Sequence, residues 1–448
     1  MTGSTPPRTH LPPRLLPVLY FGVAHVALAL ACLAVATDPR GVSGFFYHAR
    51  MLGIVHLVTL GWITASILGS LYIVGPIALR VWIPAGRLDY TAFALVLIGV
   101  VGMVAHFWLQ EYGGMAWSAI TVGTGILMVG AHVAWRLRGA SLPRAVGAHL
   151  VLAFLNVGGA ATVGVLIGFD KVYHFLPGFV LSNVFAHAHL AAIGWASMMV
   201  VGVAYRLLPM VLPAAMPQGP TLWISAVLLE TGVAGLFVTL LVRSPLVWVC
   251  ALVVIAGFAA FGSHVVWMLR RPRPRPPGLR RVDPAVLHAA ASFLWLGVAS
   301  ALGIWLTLAP PSSNTLRVAM AYGVFGLVGF LAQIVVGMEG RLLPIFAWYW
   351  AYANTGYRGP VLSQHEMPWH DGRDLVFLLW LFGVPSLALG LAFDAVPFVS
   401  GGAWCLLGAT AADAVNVARI LRHAFTARPG EGETRPAAPP DDRLRRGR

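Results

Sequence analysis

Long apolar runs dominate this chain. They recur from residue 15 to residue 422 and are separated by short polar segments that hold most of the arginines. An apolar helix of about 20 residues spans the hydrocarbon core of a bilayer. We count twelve such runs. The pattern therefore predicts an all-α integral membrane protein with about twelve transmembrane helices.

Two of these runs carry nearly the same sequence. Residues 56–76 form HLVTLGWITASILGSLYIVGP, and residues 189–209 form HLAAIGWASMMVVGVAYRLLP. A weaker copy at 324–344 keeps two glycines and the final proline. A pattern that recurs at a fixed period indicates a repeat architecture. We therefore predict one membrane domain over 15–423, built from three four-helix repeats at about 15–140, 141–272 and 284–423.

Composition and charge place the protein in the membrane. Hydrophobic residues make up 58% of the chain and charged residues 10%, values typical of polytopic membrane proteins. The net charge of +14 comes from basic residues concentrated in loops on one side. We therefore expect contact with membrane lipid and no nucleic-acid partner. The positive-inside rule predicts a bacterial cytoplasmic membrane protein with both termini cytoplasmic, including a lead at 1–14 and a disordered tail at 424–448.

Histidines lie near the start of the repeated runs. His56 opens the first copy, His187 and His189 precede or open the second, and His106 is predicted at the same depth on the next helix after His56. A polar ring in hydrocarbon is costly, so each is a functional-site hypothesis. Residues i and i+2 of a helix point about 200° apart. His187 and His189 therefore cannot both bind one metal ion, but they can serve two sites on opposite sides of one helix.

Five further histidines within the predicted spans are predicted to make polar contacts between helices. One lies alone on the first helix, and the others lie nearer the cytoplasmic side. They are His25, His132, His149, His264 and His288.

The double-histidine run resembles a motif of a known family. H-x-H-x-x-x-[LI]-G-W, followed by G-x-x-Y and then proline, is similar to the tenth-helix motif of subunit I of haem–copper oxygen reductases, above all the C-type oxidases and nitric oxide reductases. In that family the two histidines bind two haems on opposite faces of one helix, within twelve helices of threefold pseudosymmetry. Here the motif lies in the second repeat rather than the third, so the resemblance implies that the repeat roles are rotated.

The resemblance implies haem, with copper as a further metal, and leaves two ligand arrangements open. In the first, His187 resembles the ligand of the active-site haem and His189 that of the low-spin haem, while His56 and His106 hold copper. In the second, His56 and His189 clamp one haem between the second and sixth helices. The positions of the third repeat that correspond to the histidine pair hold Tyr322 and a valine.

Several functions are compatible with these residues. The resemblance implies an oxidoreductase that reduces O2 or nitric oxide, with accessory subunits. The electrons would come from cytochrome c or a quinol, because the chain has no C-x-x-C-H haem attachment motif of its own. Glu230 and Glu339 are the main carboxylates within the spans, so no proton pumping is predicted. The alternatives are a non-catalytic haem or copper protein for electron transfer, nitric oxide response or metal handling, as in NnrS-type proteins, and a transporter that keeps the fold without cofactor.

Overall fold

The computed structural model describes residues 11–353 and 362–426 of the 448-residue chain. Within these ranges, twelve helices are long and apolar enough to cross a membrane, and there is no β-strand, which confirms the predicted all-α membrane fold. The helices are α1 Leu15–Thr37, α2 Ala49–Leu79, α3 Arg87–Leu109, α4 Tyr112–Leu137, α5 Arg144–Tyr173, α6 Val180–Val211, α7 Leu222–Leu241, α8 Val247–Leu269, α9 Pro284–Leu308, α10 Ser313–Tyr352, α11 His370–Phe393 and α12 Val396–Phe425.

The beginning of α1 and the end of α12 lie together on one face. The guanidinium of Arg14 donates a hydrogen bond to the carbonyl oxygen of Ala424 and packs over the ring of Phe425 at 4.2 Å. An even number of crossings requires this arrangement. Helix α12 continues slightly beyond residue 423, the predicted end of the membrane domain. Residues 1–10 of the predicted lead and 427–448 of the predicted tail lie outside the described residues.

Helices α2, α6 and α10 meet in the centre through the repeated Gly-Trp motif. The indole N–H of Trp62 in α2 donates to the carbonyl oxygen of Ala332 in α10 at 3.2 Å. The indole N–H of Trp195 in α6 donates to Oγ1 of Thr64 in α2 at 3.0 Å. Both indoles are buried, and a buried indole N–H needs a partner. The motif therefore supplies hydrogen bonds that join the central helices.

Glycines let each central helix approach another helix of its own predicted repeat. A Cβ atom at these glycines would lie within 2.8 Å of a neighbouring side chain, so a larger residue would push the helices apart. The contacts are Gly61 with Ala27 of α1, Gly194 with Asn156 of α5, and Gly329 with Trp295 of α9.

Each central helix contains a π-helical segment in its N-terminal half. The segments are Leu57–Thr64, Leu190–Ser197 and Val324–Ala332. The first begins directly after His56 and the second directly after His189. π-helical turns are rare and occur frequently at functional sites. Sequence patterning did not predict these segments, although they occupy equivalent positions of the three predicted repeats.

Candidate functional site

A cavity of about 200 Å³ lies between α2 and α6 and is closed by α3, α4, α5 and α10. Its lining is mostly apolar. Two of the predicted ligands, His56 and His187, line it together. Apolar cavities with a few convergent polar groups are the usual form of a ligand site. The two histidine-bearing repeats thus contribute one imidazole each to a common cavity.

The ring of His56 is held in place by its own helix and by α3. Its Nδ1 lies 2.7 Å from the carbonyl oxygen of Leu52, one turn earlier in α2. The ring stacks on Phe107 with the ring centres 5.2 Å apart and the planes inclined by 29°. Phe107 also lines the cavity. These contacts fix the direction in which the imidazole faces the cavity.

The ring of His187 is oriented by the neighbouring helix α5. Its Nδ1 lies 2.9 Å from the carbonyl oxygen of Ala160. The ring packs against Gly164, where a Cβ atom would lie only 3.0 Å from Cε1 of the histidine. Both α5 residues line the cavity. The small side chains of α5 therefore make room for this imidazole at the cavity wall.

Both cavity histidines have the tautomer that suits a metal ligand. A carbonyl oxygen only accepts hydrogen bonds, so Nδ1 of His56 and of His187 carries the proton and Nε2 presents a lone pair. Among the described residues, neither Nε2 has a hydrogen-bond partner. A ring N–H that donates to a backbone carbonyl is the usual outer support of a metal-bound histidine. The two rings are therefore ready to coordinate a metal through Nε2.

His189 points away from this cavity, as its two-residue spacing from His187 requires. Its Nδ1 bonds the carbonyl oxygen of Phe185 at 2.8 Å. Its Nε2 lies 3.0 Å from the hydroxyl of Tyr322 in α10, and the two rings stack. Because Nδ1 is the donor, Nε2 accepts the Tyr322 proton. Nε2 of His189, its potential ligand atom, is therefore already hydrogen-bonded to Tyr322. The structure does not bring His189 and His56 to one cavity.

His106 is also kept out of the cavity. On α3 the inward position is taken by Phe107, so His106 turns toward α4. Its Nδ1 lies 2.6 Å from the carbonyl oxygen of Gly102 and 3.3 Å from Oγ of Ser118. A Cβ atom at Gly114 would lie 2.2 Å from Nε2, so the α4 backbone packs directly against that nitrogen. This packing separates His106 from His56, with which it was expected to share a copper ion.

Two residues that sequence analysis had not singled out line the cavity near the start of α2 and the end of α5. Tyr47 precedes α2, and Lys171 lies near the end of α5; both line the cavity. The Lys171 ammonium lies 4.4 Å from the ring centre of Tyr47 and 4.8 Å from that of Tyr112. Aromatic faces attract a cation at such distances. Lys171 is the only lysine of the chain, which was a signal available in the sequence.

The wall formed by α4, α5 and α6 consists largely of small residues. They line the cavity together and leave an apolar surface without large side chains. They are Gly123, Ala160, Ala161, Gly164, Ala188, Ala191 and Ala192. Such a wall suits a planar ligand. The cavity of about 200 Å³ is below the range of about 300–1,000 Å³ typical of sites for drug-sized molecules, so a macrocycle would have to displace some of the lining side chains.

Four of the histidines expected to make helix contacts have side-chain partners in other segments. Each bonds a polar side chain of another segment, at 2.7 to 3.3 Å. The pairs are His132 with Asp89, His149 with Ser225, His264 with Thr221, and His288 with Gln333.

Comparison with protein-family profiles gives no match for this chain, and comparison with curated protein sequences gives no significant match.

Proposed function

We propose that this chain is an integral membrane haem protein, with haem held in the cavity by Nε2 of His187 and with His56 facing it from α2. The observation that carries the proposal is the convergence of these two imidazoles, each with Nδ1 fixed and Nε2 free, on one apolar cavity. Haem iron is commonly held by histidine. The wall of small residues beside His187 supports a macrocycle, which needs room next to its ligand, rather than a compact ion.

Other residues of the cavity support the same ligand. Lys171, the one lysine or arginine among the lining residues, would pair with the acidic substituents of a haem at the outer end. Phe107 would pack beside the ring while it holds His56 in position. A haem with one histidine ligand binds diatomic gases, and one with two histidine ligands carries electrons. The choice between these depends on whether His56 reaches the iron.

The surroundings of His189 favour a single haem. A second haem on this side would need Nε2, which accepts from Tyr322. A reductase of the resembled type passes electrons through that second haem. We therefore favour the non-catalytic alternative, a haem protein for electron transfer or nitric oxide response, over an oxygen or nitric oxide reductase. Cytochrome c or a quinol remains the proposed electron partner, because the chain has no covalent haem motif of its own.

A separate copper site has less support. Copper is normally held by several nitrogen, oxygen or sulfur ligands. His56 and His187 are the two imidazoles that line the cavity, and His106 packs against α4 instead. If His187 binds haem iron, His56 would be left as a single imidazole for copper. We therefore place one haem, and no resident copper, in the proposed protein.

Membrane orientation belongs to the same proposal. The basic loops place both chain ends at the cytoplasmic side of a bacterial cytoplasmic membrane, and the cavity with Lys171 then lies in the outer half. The ends of the described domain lie on one face, which supports this assignment. A ligand would enter from the outside or from the outer leaflet.

Absorbance spectra of the purified full chain test the proposal. We expect a Soret band in the wild type, its strong loss in His187→Ala, and its retention in His264→Ala, a histidine variant remote from the cavity. His56→Ala should change the spectrum of the reduced protein with carbon monoxide. If His56 is a ligand of the iron, its loss would open a position for carbon monoxide; if it only faces the iron, its loss would change the surroundings of the bound gas. A protein purified without haem that also takes up none when haem is added would favour the transporter alternative.

A further inference from the structure

A second group of ionisable side chains lies inside the helix bundle, outside the cavity between α2 and α6. His25 comes from α1, Glu339 from α10 and Asp413 from α12. Nε2 of His25 lies 3.5 Å from Oδ2 of Asp413 and 4.0 Å from Oε2 of Glu339. One ligand atom of each residue lies within 4.8 Å of the other two. The three side chains therefore surround one point.

Four buried polar atoms of this group have no hydrogen-bond partner within the part of the chain that the structure describes. The three residues are 7%, 2% and 5% exposed. Nδ1 of His25 bonds the carbonyl oxygen of Phe21 at 2.9 Å, but Nε2, both oxygens of Glu339 and Oδ2 of Asp413 lack any hydrogen-bond partner among the described residues. An isolated buried carboxylate costs many kcal/mol, so such groups are paired, neutralised or bound to a metal.

The neighbouring donors are already engaged. Trp62 packs edge-on against the His25 ring at 5.1 Å, but its N–H bonds the carbonyl oxygen of Ala332. The guanidinium of Arg373, which packs against Gly340 beside Glu339, binds Asp283. The imidazole therefore faces two carboxylates in a buried position, where a further positive charge would stabilise them.

We propose that His25, Glu339 and Asp413 bind one divalent metal ion of the zinc or manganese type. One imidazole nitrogen and two carboxylate oxygens are a common donor set for such ions, and the two carboxylates balance the charge of +2. The proton of His25 is held at Nδ1 by a backbone carbonyl, which directs the Nε2 lone pair to the ion.

The distances distinguish a metal from shared protons. Two ligands of a tetrahedral ion at about 2.0–2.2 Å lie about 3.3–3.6 Å from each other. The imidazole–Asp413 distance of 3.5 Å falls in this range, and the imidazole–Glu339 distance of 4.0 Å is slightly longer. A group held together by protons would show contacts of about 2.7–3.2 Å instead. The spacing therefore favours groups arranged around an ion over groups joined by short hydrogen bonds.

The metal would join the first and the last helices of the domain. None of its three ligands lines the cavity between α2 and α6. The site is therefore independent of the proposed haem, and its effect is on the association of α1 with α10 and α12.

Metal analysis of the purified full chain tests this site. We expect one equivalent of zinc or manganese in the wild type, and an at least about tenfold lower content in Glu339→Gln and in Asp413→Asn. Glu230→Gln is the matched control, because Glu230 is another carboxylate within a span and accepts from Asn156 at 2.8 Å. The Soret band should be unchanged in all three variants, which separates this site from the haem proposal.

A wild-type measurement covers the case in which the variants do not fold. Protein depleted of metal with a chelator should gain thermal stability when Zn²⁺ or Mn²⁺ is added, and Co²⁺ should give a visible ligand-field band. Absence of bound metal together with no response to these three ions would overturn the proposal. Retention of the metal in folded Glu339→Gln and Asp413→Asn would equally overturn it.

Discussion

The hydroxyl of Tyr322 donates a hydrogen bond to Nε2 of His189 at 3.0 Å, and the two rings stack with their centres 6.0 Å apart. Tyr322 stands in the third repeat where the second repeat has His187. Tyr322, which replaces a potential histidine ligand in the third repeat, thus donates to Nε2 of His189, a potential ligand atom in the second repeat. The two histidines of α6 therefore differ at Nε2. This atom has no hydrogen-bond partner among the described residues in His187 at the cavity, whereas in His189 it accepts from Tyr322 on the opposite side of the helix.

The Tyr322–His189 contact predicts that His189 is structural. Tyr322→Phe should leave haem content unchanged and lower the free energy of unfolding by about 0.5–1.5 kcal/mol, because it removes a hydrogen bond between two partly buried side chains. Soret absorbance and thermal unfolding in detergent measure the two effects. Loss of the Soret band in His189→Ala, with retention in His187→Ala, would instead identify His189 as the haem ligand.

The packing of Gly164 predicts a steric route to the same site. Gly164→Leu should displace the His187 ring, because even a Cβ atom would lie 3.0 Å from Cε1, and should lower haem affinity about tenfold or more. Gly147→Leu is the matched control on the same helix, since a Cβ atom there would meet no atom within 4 Å. Haem content relative to protein absorbance checks both. Equal loss in the two variants would show an effect on α5 as a whole.

Lys171 is the only lysine of the chain, so chemical labelling of its amine can test the predicted orientation and the position of the haem. A membrane-impermeant amine reagent added to the outside of intact cells should modify Lys171, and bound haem should slow that modification several-fold. Lys171→Met should weaken haem binding, whereas Arg243→Met, which removes an exposed cation packed on Phe179, should not. Modification from the cytoplasmic side alone would show that the predicted orientation is inverted.

Asp283 predicts the largest loss of stability outside the cavity. Its carboxylate binds the guanidinium groups of Arg341 and Arg373 and accepts from the backbone N–H of Ala285 at the start of α9. Asp283→Asn should cost about 3–5 kcal/mol, because it leaves two largely buried guanidinium groups without their carboxylate. Thermal unfolding in detergent measures the loss.

The control for Asp283 is an exposed ion pair nearby. Arg280 and Asp374 lie 3.0 Å apart, with side chains about two-fifths exposed. Asp374→Asn should change the free energy of unfolding by about 0–1 kcal/mol, because water screens this pair. If both variants lost the same stability, the network around Asp283 would not be the reason.

Much of the fold follows from simple physical constraints on the sequence. Hydrocarbon thickness sets the length of a spanning helix, so the apolar runs predicted the twelve helices correctly. The glycines of the repeated motif have a simple physical role, since the structure uses Gly61 and Gly194 for close helix packing. The spacing of His187 and His189 predicted their opposite directions, which the structure confirms.

Rotation of each helix about its axis could not be predicted in the same way. Depth placed His56, His106, His187 and His189 in one layer, but depth does not decide which ring enters a cavity. The inward position of α3 belongs to Phe107, one residue from the histidine that was expected to bind copper. A single position of difference turns a side chain by about 100°, which exceeds what apolar patterning resolves in a mostly apolar helix.

The sequence pattern did not predict the group of His25, Glu339 and Asp413, for a different reason. His25 was expected to make an ordinary helix contact, and Asp413 had no neighbouring signal in the sequence. Glu339 was noted only as a buried carboxylate. The three residues come from the first and third predicted repeats and are brought together by contacts of α1 and α10 with α12. No local spacing can show a site whose ligands lie this far apart in the chain.

The π-helical segments also change how the faces of α2, α6 and α10 must be assigned. A segment with i→i+5 hydrogen bonds holds extra residues in its turns, and each extra residue rotates everything after it by about 100° relative to an uninterrupted α-helix. A helical wheel drawn at one constant angle through Ala49–Leu79 therefore puts residues after Thr64 on the wrong side. The angle between His187 and His189 is unaffected, because both precede Leu190. Lipid-facing and core-facing positions of these helices must be assigned with two separate helical wheels, one for the residues before the π-helical segment and one for the residues after it.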